Sequence, residues 1–209
     1  MRLAFLFLLP LLMGGPSGSP AAIRATFSSL TKAAYLAAKK GCVETKPHLT
    51  FPLKKQRGRI VIPTARGQRV FQDKGVGTDH DNQAQFEYVG YMPQFGYHII
   101  IAHLWERTQT FLIDKNGKQL ELYDDPQYSP DLKSFVVIAG GLEYSVYPNV
   151  IRLFRFEDHT WREVWSLEPK TWEPYRICWS SSNSLLLSKK MWTEKNPGNT
   201  FTYSKLTIN

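Results

Sequence analysis

The sequence predicts an all-β protein of antiparallel sheets in propeller-like repeats, an incomplete or small propeller, preceded by a short N-terminal helix after a signal peptide. Three observations predict it. From about residue 50 onward, apolar and polar side chains alternate with a period of two, as half-buried strands require. Gly, Pro, Asn and Asp interrupt this pattern at short, regular intervals. Two kinds of segment then alternate, a hairpin and an aromatic residue with a turn before an apolar strand, and recur about every 40 to 50 residues, the length of a four-stranded blade. With 209 residues, 43% hydrophobic and 13% aromatic, the chain has enough apolar material for one ordinary core.

The first element is an apolar run, Leu3 to Met13, behind Met1-Arg2 and ahead of Gly14-Gly15-Pro16-Ser17-Gly18-Ser19-Pro20. Charge, greasy centre and small residues in that order form a secretory signal, and the run falls short of the roughly 18 residues that a membrane span needs. Residues 1–20 are therefore expected to be a signal peptide, with its cut between Gly15 and Ala25. A secreted or periplasmic protein follows. Lys39-Lys40-Gly41 before Cys42 is too polar for a lipobox, and no later stretch is apolar enough to span a membrane.

Residues 21–42 are expected to be helical. Ala33, Ala34, Leu36, Ala37 and Ala38 are good helix formers, Ser28, Ser29 and Thr31 offer N-caps, and Lys39-Lys40 with Gly41 suit the C-terminal end. Phe27, Leu30, Ala34, Tyr35 and Ala38 would form its apolar stripe. The β-domain then fills 43–209. Its hairpins are expected at Thr108 to Tyr123 around Lys115-Asn116-Gly117, at Arg59 to Asp73 around Arg66-Gly67, and at Val150 to Leu167 around Glu157-Asp158-His159. The apolar segments between them are Tyr88 to Leu104, Tyr128 to Val137 and Tyr175 to Leu187. A final strand, Thr200 to Ile208, has no local partner, so a closing unit would have to borrow a strand from the N-terminal region.

Tyr128-Ser129-Pro130-Asp131-Leu132-Lys133-Ser134-Phe135-Val136-Val137 resembles the turn and strand of TolB-type β-propeller repeats, whose usual form is Ser-Pro-Asp-Gly-Lys before an apolar strand. Leu132 stands where that pattern has Gly. Cys178 to Leu187 is similar to a second copy without the Pro and Asp. The resemblance implies a fold and not an activity.

The sequence assigns no catalytic, cofactor-binding or metal residue. His98 and His103 fall on opposite faces of one strand, so that strand cannot give both to one ion; each is read as a partly buried polar residue. Thr78-Asp79-His80-Asp81-Asn82 is rich in donor atoms but lacks the spacing of a calcium loop. Asp124-Asp125 is read as a strand-ending turn rather than a working carboxylate pair, because neighbours in an extended chain point apart. No Gly-x-Ser-x-Gly elbow occurs. Trp105, Trp161, Trp165, Trp172, Trp179 and Trp192 are read first as packing between sheets.

Cys42 and Cys178 are the two cysteines. An oxidising compartment would allow them to pair, closing a loop of about 135 residues and stabilising the chain by roughly 4 to 5 kcal/mol in the entropic model. Two unpaired buried thiols are the other reading, and both stay open. The net charge of +8 is moderate and densest at Lys54, Lys55, Arg57 and Arg59, with Arg66 and Arg69 beyond, a solvated basic face. Export argues against nucleic acid. The expected function is a non-catalytic binding or scaffold module that acts through its loops on a protein or glycan partner of the envelope; a glycan-active hydrolase or lyase is the alternative.

Overall fold

The computed structural model describes residues 23–78, 81–194 and 196–209. The proposed signal peptide lies outside these residues, as do Asp79 and His80 of the donor-rich loop. Described order begins with a strand, β1 (Ala25–Leu30), followed by α1 (Lys32–Lys39). This corrects the helical reading of 21–42: Phe27 and Leu30 belong to a strand, because β1 finds a long partner at the far end of the chain. The helix begins where Thr31 caps it, its Oγ1 accepting from Ala34 N–H at 3.1 Å. Tyr35 is its one buried residue and stacks on Tyr203 with ring centroids 4.6 Å apart.

Next come the hairpin β2 (Arg59–Thr64) and β3 (Gly67–Gln72), and then four strands, β4 (Ala84–Met92), β5 (Tyr97–Leu104), β6 (Thr108–Asp114) and β7 (Gln119–Leu122). A second set of four is β8 (Gln127–Tyr128), β9 (Ser134–Ala139), β10 (Val150–Glu157) and β11 (Thr160–Leu167). The last three are β12 (Trp172–Ser181), β13 (Ser184–Thr193) and β14 (Asn196–Ile208). The three expected hairpins form on β2–β3, β6–β7 and β10–β11. Gly117 supplies φ 82° in the second, and Asp158 and His159 take φ 50° and 60° in the third.

These strands make three four-stranded antiparallel sheets in the orders β4-β5-β6-β7, β8-β9-β10-β11 and β12-β13-β14-β1. The third sheet completes itself with the first strand of the described chain, in register from Ala25 opposite Ile208 to Leu30 opposite Tyr203. The final strand thus has a partner on each side. Met92, Leu112, Leu122, Tyr128, Phe135 and Trp161 bury themselves between the first and second sheets. Val136, Ile151, Leu153, Trp179, Leu185 and Leu206 do so between the second and third. Ile60, Ile62 and Phe71 of the β2–β3 hairpin pack on Ile100, Phe111 and Ile113 of the first sheet. The order of layers is hairpin, first sheet, second sheet, third sheet.

Each sheet begins at an edge: β4, β8 and β12. Unpaired edges attract other chains, and this protein covers all three with one extended segment, residues 43–50. Val43 bridges to Trp179, Thr45 to Tyr128 and Thr50 to Tyr91, one contact on each edge strand. Thr45, Pro47 and Leu49 turn inward while Glu44, Lys46 and His48 remain exposed. We call this segment the strap. At its start Cys42 is disulfide-bonded to Cys178 of β12, with Cα atoms 5.9 Å apart, which resolves the open choice between a bond and two thiols.

Candidate functional site

The inner edges of the sheets converge on a cleft with two compartments. The open one, about 490 Å³, is lined by His103 of β5, Tyr123, Asp124 and Asp125 after β7, Tyr147 of the loop after β9, and Tyr175 of β12. All three sheets contribute. The second, about 530 Å³, lies beneath the strap and is walled by Val89, Ile99, Leu49, Tyr128 and Trp179 together with the disulfide. Ile101 and Asp125 line both compartments.

Asp125 Oδ1 accepts a hydrogen bond from Thr110 Oγ1 at 2.8 Å, and Asp124 Oδ1 accepts from Asp125 N–H at 2.8 Å. The turn that ends β7 therefore places both carboxylates on one cleft, where the sequence had them pointing apart. Burial raises the Asp124 carboxyl above the ordinary range, with the Asp125 N–H acting against that shift and the Asp125 charge adding to it.

A buried glutamate holds the third wall. Glu173 of β12 accepts from Leu142 N–H at 2.5 Å and Glu143 N–H at 2.9 Å through Oε1, and from Trp192 Nε1 at 2.8 Å through Oε2. These bonds shape the loop after β9. Gly141 permits the fold, since a Cβ there would stand 2.0 Å from the Tyr147 carbonyl oxygen. The loop then delivers Tyr147, whose hydroxyl donates to Thr108 O at 2.9 Å and accepts from Thr108 N–H at 2.7 Å. One tyrosine ties the second sheet's loop to the first sheet. Tyr175 sits at a β-bulge between Pro174 and Arg176, half exposed, with its ring 5.0 Å from that of Phe201.

The other residues singled out in the sequence are dispersed. His98 is half-buried beneath Tyr91, with Nδ1 3.0 Å from the Tyr88 hydroxyl; burial lowers its pKa. His103 is on the opposite face and exposed rather than partly buried, 3.6 Å from Glu87. Among the described residues, no three His, Cys, Asp or Glu side chains gather in a group fit for a metal ion. Trp161 and Trp179 are buried, Trp165 and Trp172 pack against the core that holds Trp179, and Trp105 is exposed. In the basic segment, Lys55 is committed to Asp73 at 2.5 Å and to the Phe86 carbonyl at 2.7 Å.

Sequence reasoning missed Tyr123, Tyr147, Tyr175 and Glu173. They come from a turn, a loop, a bulge and a buried strand position with no common spacing. Comparison of the chain with protein-family models, with curated proteins and with solved structures finds no match.

Proposed function

We propose that this protein is an exported, non-catalytic binding module whose propeller-like sheets present the open cleft to a glycan. The observation that carries the reading is the convergence of Tyr123, Tyr147 and Tyr175 beside Asp124 and Asp125 in that cleft. Flat aromatic faces suit the apolar side of a sugar ring, and carboxylates accept hydrogen bonds from its hydroxyls. The repeated meander order supports the propeller-like reading, as does the likeness of Ser129-Pro130-Asp131 to TolB-type turns. The Leu3 to Met13 run and the disulfide support export, because disulfides persist in oxidising compartments. No helix among the described residues is long and apolar enough to cross a membrane.

The test is a glycan array run beside a pull-down from envelope extract, using wild type, Tyr175→Ala and Asp125→Asn. Retention of a defined glycan, lost in both variants, supports the reading. Capture of a protein partner with no glycan retained overturns the glycan version in favour of a scaffold.

A glycan-active hydrolase or lyase is the second reading, favoured by the raised Asp124 carboxyl beside Asp125. A carboxyl raised in this direction holds its proton to higher pH than a free one, as a donor to a leaving oxygen requires. Turnover of the retained glycan, abolished by Asp124→Asn while binding persists, would establish it.

A further inference from the structure

The compartment beneath the strap differs in chemistry from the open cleft. Its volume of about 530 Å³ falls among those of small-molecule sites, roughly 300 to 1,000 Å³. Val89, Ile99, Ile101 and Leu49 make its wall apolar, together with the faces of Tyr128 and Trp179. The polar handles of those two rings are already engaged: Trp179 Nε1 donates to the Gln127 carbonyl at 2.7 Å, and the Tyr128 hydroxyl donates to Met92 Sδ at 3.3 Å. What they turn toward the space is hydrocarbon.

The charges at the rim select among apolar ligands. Glu44 and Lys46 are exposed on the strap and satisfy each other at 2.9 Å. Asp125, at the junction of the compartments, accepts from a neutral hydroxyl and has no ion-pair partner among the described residues. The uncompensated charge at the rim is negative, so an apolar anion is disfavoured and a neutral or cationic head is accepted.

The strap is also a movable wall. Backbone hydrogen bonds fix it near its ends, Val43 N–H to Trp179 O at 2.9 Å and Thr50 N–H to Tyr91 O at 2.9 Å. Between them Thr45 bridges to Tyr128, and the Gln94 side-chain amide donates to the His48 carbonyl at 3.2 Å and accepts from the His48 N–H at 3.1 Å, contacts that opening would have to break. The disulfide reinforces the first end, and both of its cysteines line the compartment. We propose that this compartment binds a small apolar molecule with a neutral or cationic head, and that the Cys42–Cys178 bond holds the strap closed over it. A dithiol reductant would cleave the S–S bond, leave two thiols, become a cyclic disulfide itself, and so free that end of the wall. The inference does not rest on glycan binding in the open cleft.

The experiment uses the full oxidised chain and N-phenyl-1-naphthylamine, a neutral aryl amine that fluoresces in apolar surroundings. Saturable binding at one per chain is expected, with energy transfer from tryptophan. Decanol and decylamine should displace the probe and decanoate should not. Val89→Phe fills the space and should weaken binding at least tenfold at an unchanged melting temperature; Leu49→Trp does the same from the strap. A dithiol should raise the release rate at least tenfold in wild type and leave it unchanged in Cys42→Ser/Cys178→Ser, which should already release fast. Absence of saturable binding overturns the site, as does unaltered affinity in either folded variant or displacement by decanoate as readily as by decylamine. Equal release rates with and without the disulfide overturn the latch.

Discussion

Among the described residues, four without the freedom of glycine take left-handed backbone: Arg57, Leu132, Asp158 and His159. At the exposed end of β10–β11, His159 at φ 60° gains nothing from its side chain in packing. His159→Gly should therefore raise the unfolding free energy by about 1 kcal/mol, measured by denaturant titration. Leu132, at φ 58°, takes a backbone conformation that favours Gly, and its side chain packs against the core between the first two sheets. That contact explains how a leucine can hold the position. His98 makes a second prediction at this scale. Burial lowers its pKa beneath Tyr88 and Tyr91, so the unfolded chain binds the proton more readily than the folded one. Stability should hold above the ordinary histidine value near 6.5 and fall as pH drops below it; thermal melts from about pH 8 to 5 should show this in wild type and not in His98→Asn.

At the scale of elements, the loop after β9 depends on one buried carboxylate. Glu173→Ala would strand the N–H groups of Leu142 and Glu143 and the indole of Trp192, so a loss of about 3 kcal/mol is expected in chemical unfolding. The strap gives a second prediction. The disulfide closes a loop with a sequence separation of 136 residues. Cys42→Ser/Cys178→Ser should lower stability by about 4 kcal/mol, read from denaturation curves extrapolated to water, with a steeper slope because the uncrosslinked unfolded chain exposes more surface. What was legible in the sequence follows the range of the forces involved. Lys115-Asn116-Gly117 announced its hairpin because a turn is decided within a few residues. Ala25–Leu30 was misread because its local composition favoured helix while its partner, β14, lies at the other end of the chain. The strap alternates inward and outward from Glu44 to Leu49, but it makes one β-bridge to each of the three sheets and no ladder that a pattern of strands would reveal. The cleft was hidden for the same reason: His103, Asp125, Tyr147 and Tyr175 meet only after the sheets have stacked.

At the scale of the whole molecule, the three sheets are consecutive meanders, and the N-terminal region joins them twice. β1 completes the third sheet, and the strap crosses the starting edges of all three. Removal of residues 1–42 should bare β14 from Tyr203 to Ile208, and size-exclusion chromatography should then show association that the full chain lacks. The alternation of greasy and polar residues was enough to predict sheets, while the isolated last strand raised a borrowed N-terminal strand as one option without locating it, since 21–42 was read as helix. The order of layers required side chains that meet across sheets. The pairing of Ala25 with Ile208 has one more consequence, for how the chain is made. The strand synthesised first among those described waits for the last of them, so the third sheet cannot close until β14 has been made. Until then β1 has no partner, and a holding factor that keeps it apart from other edges in the interval would determine how much of the protein survives.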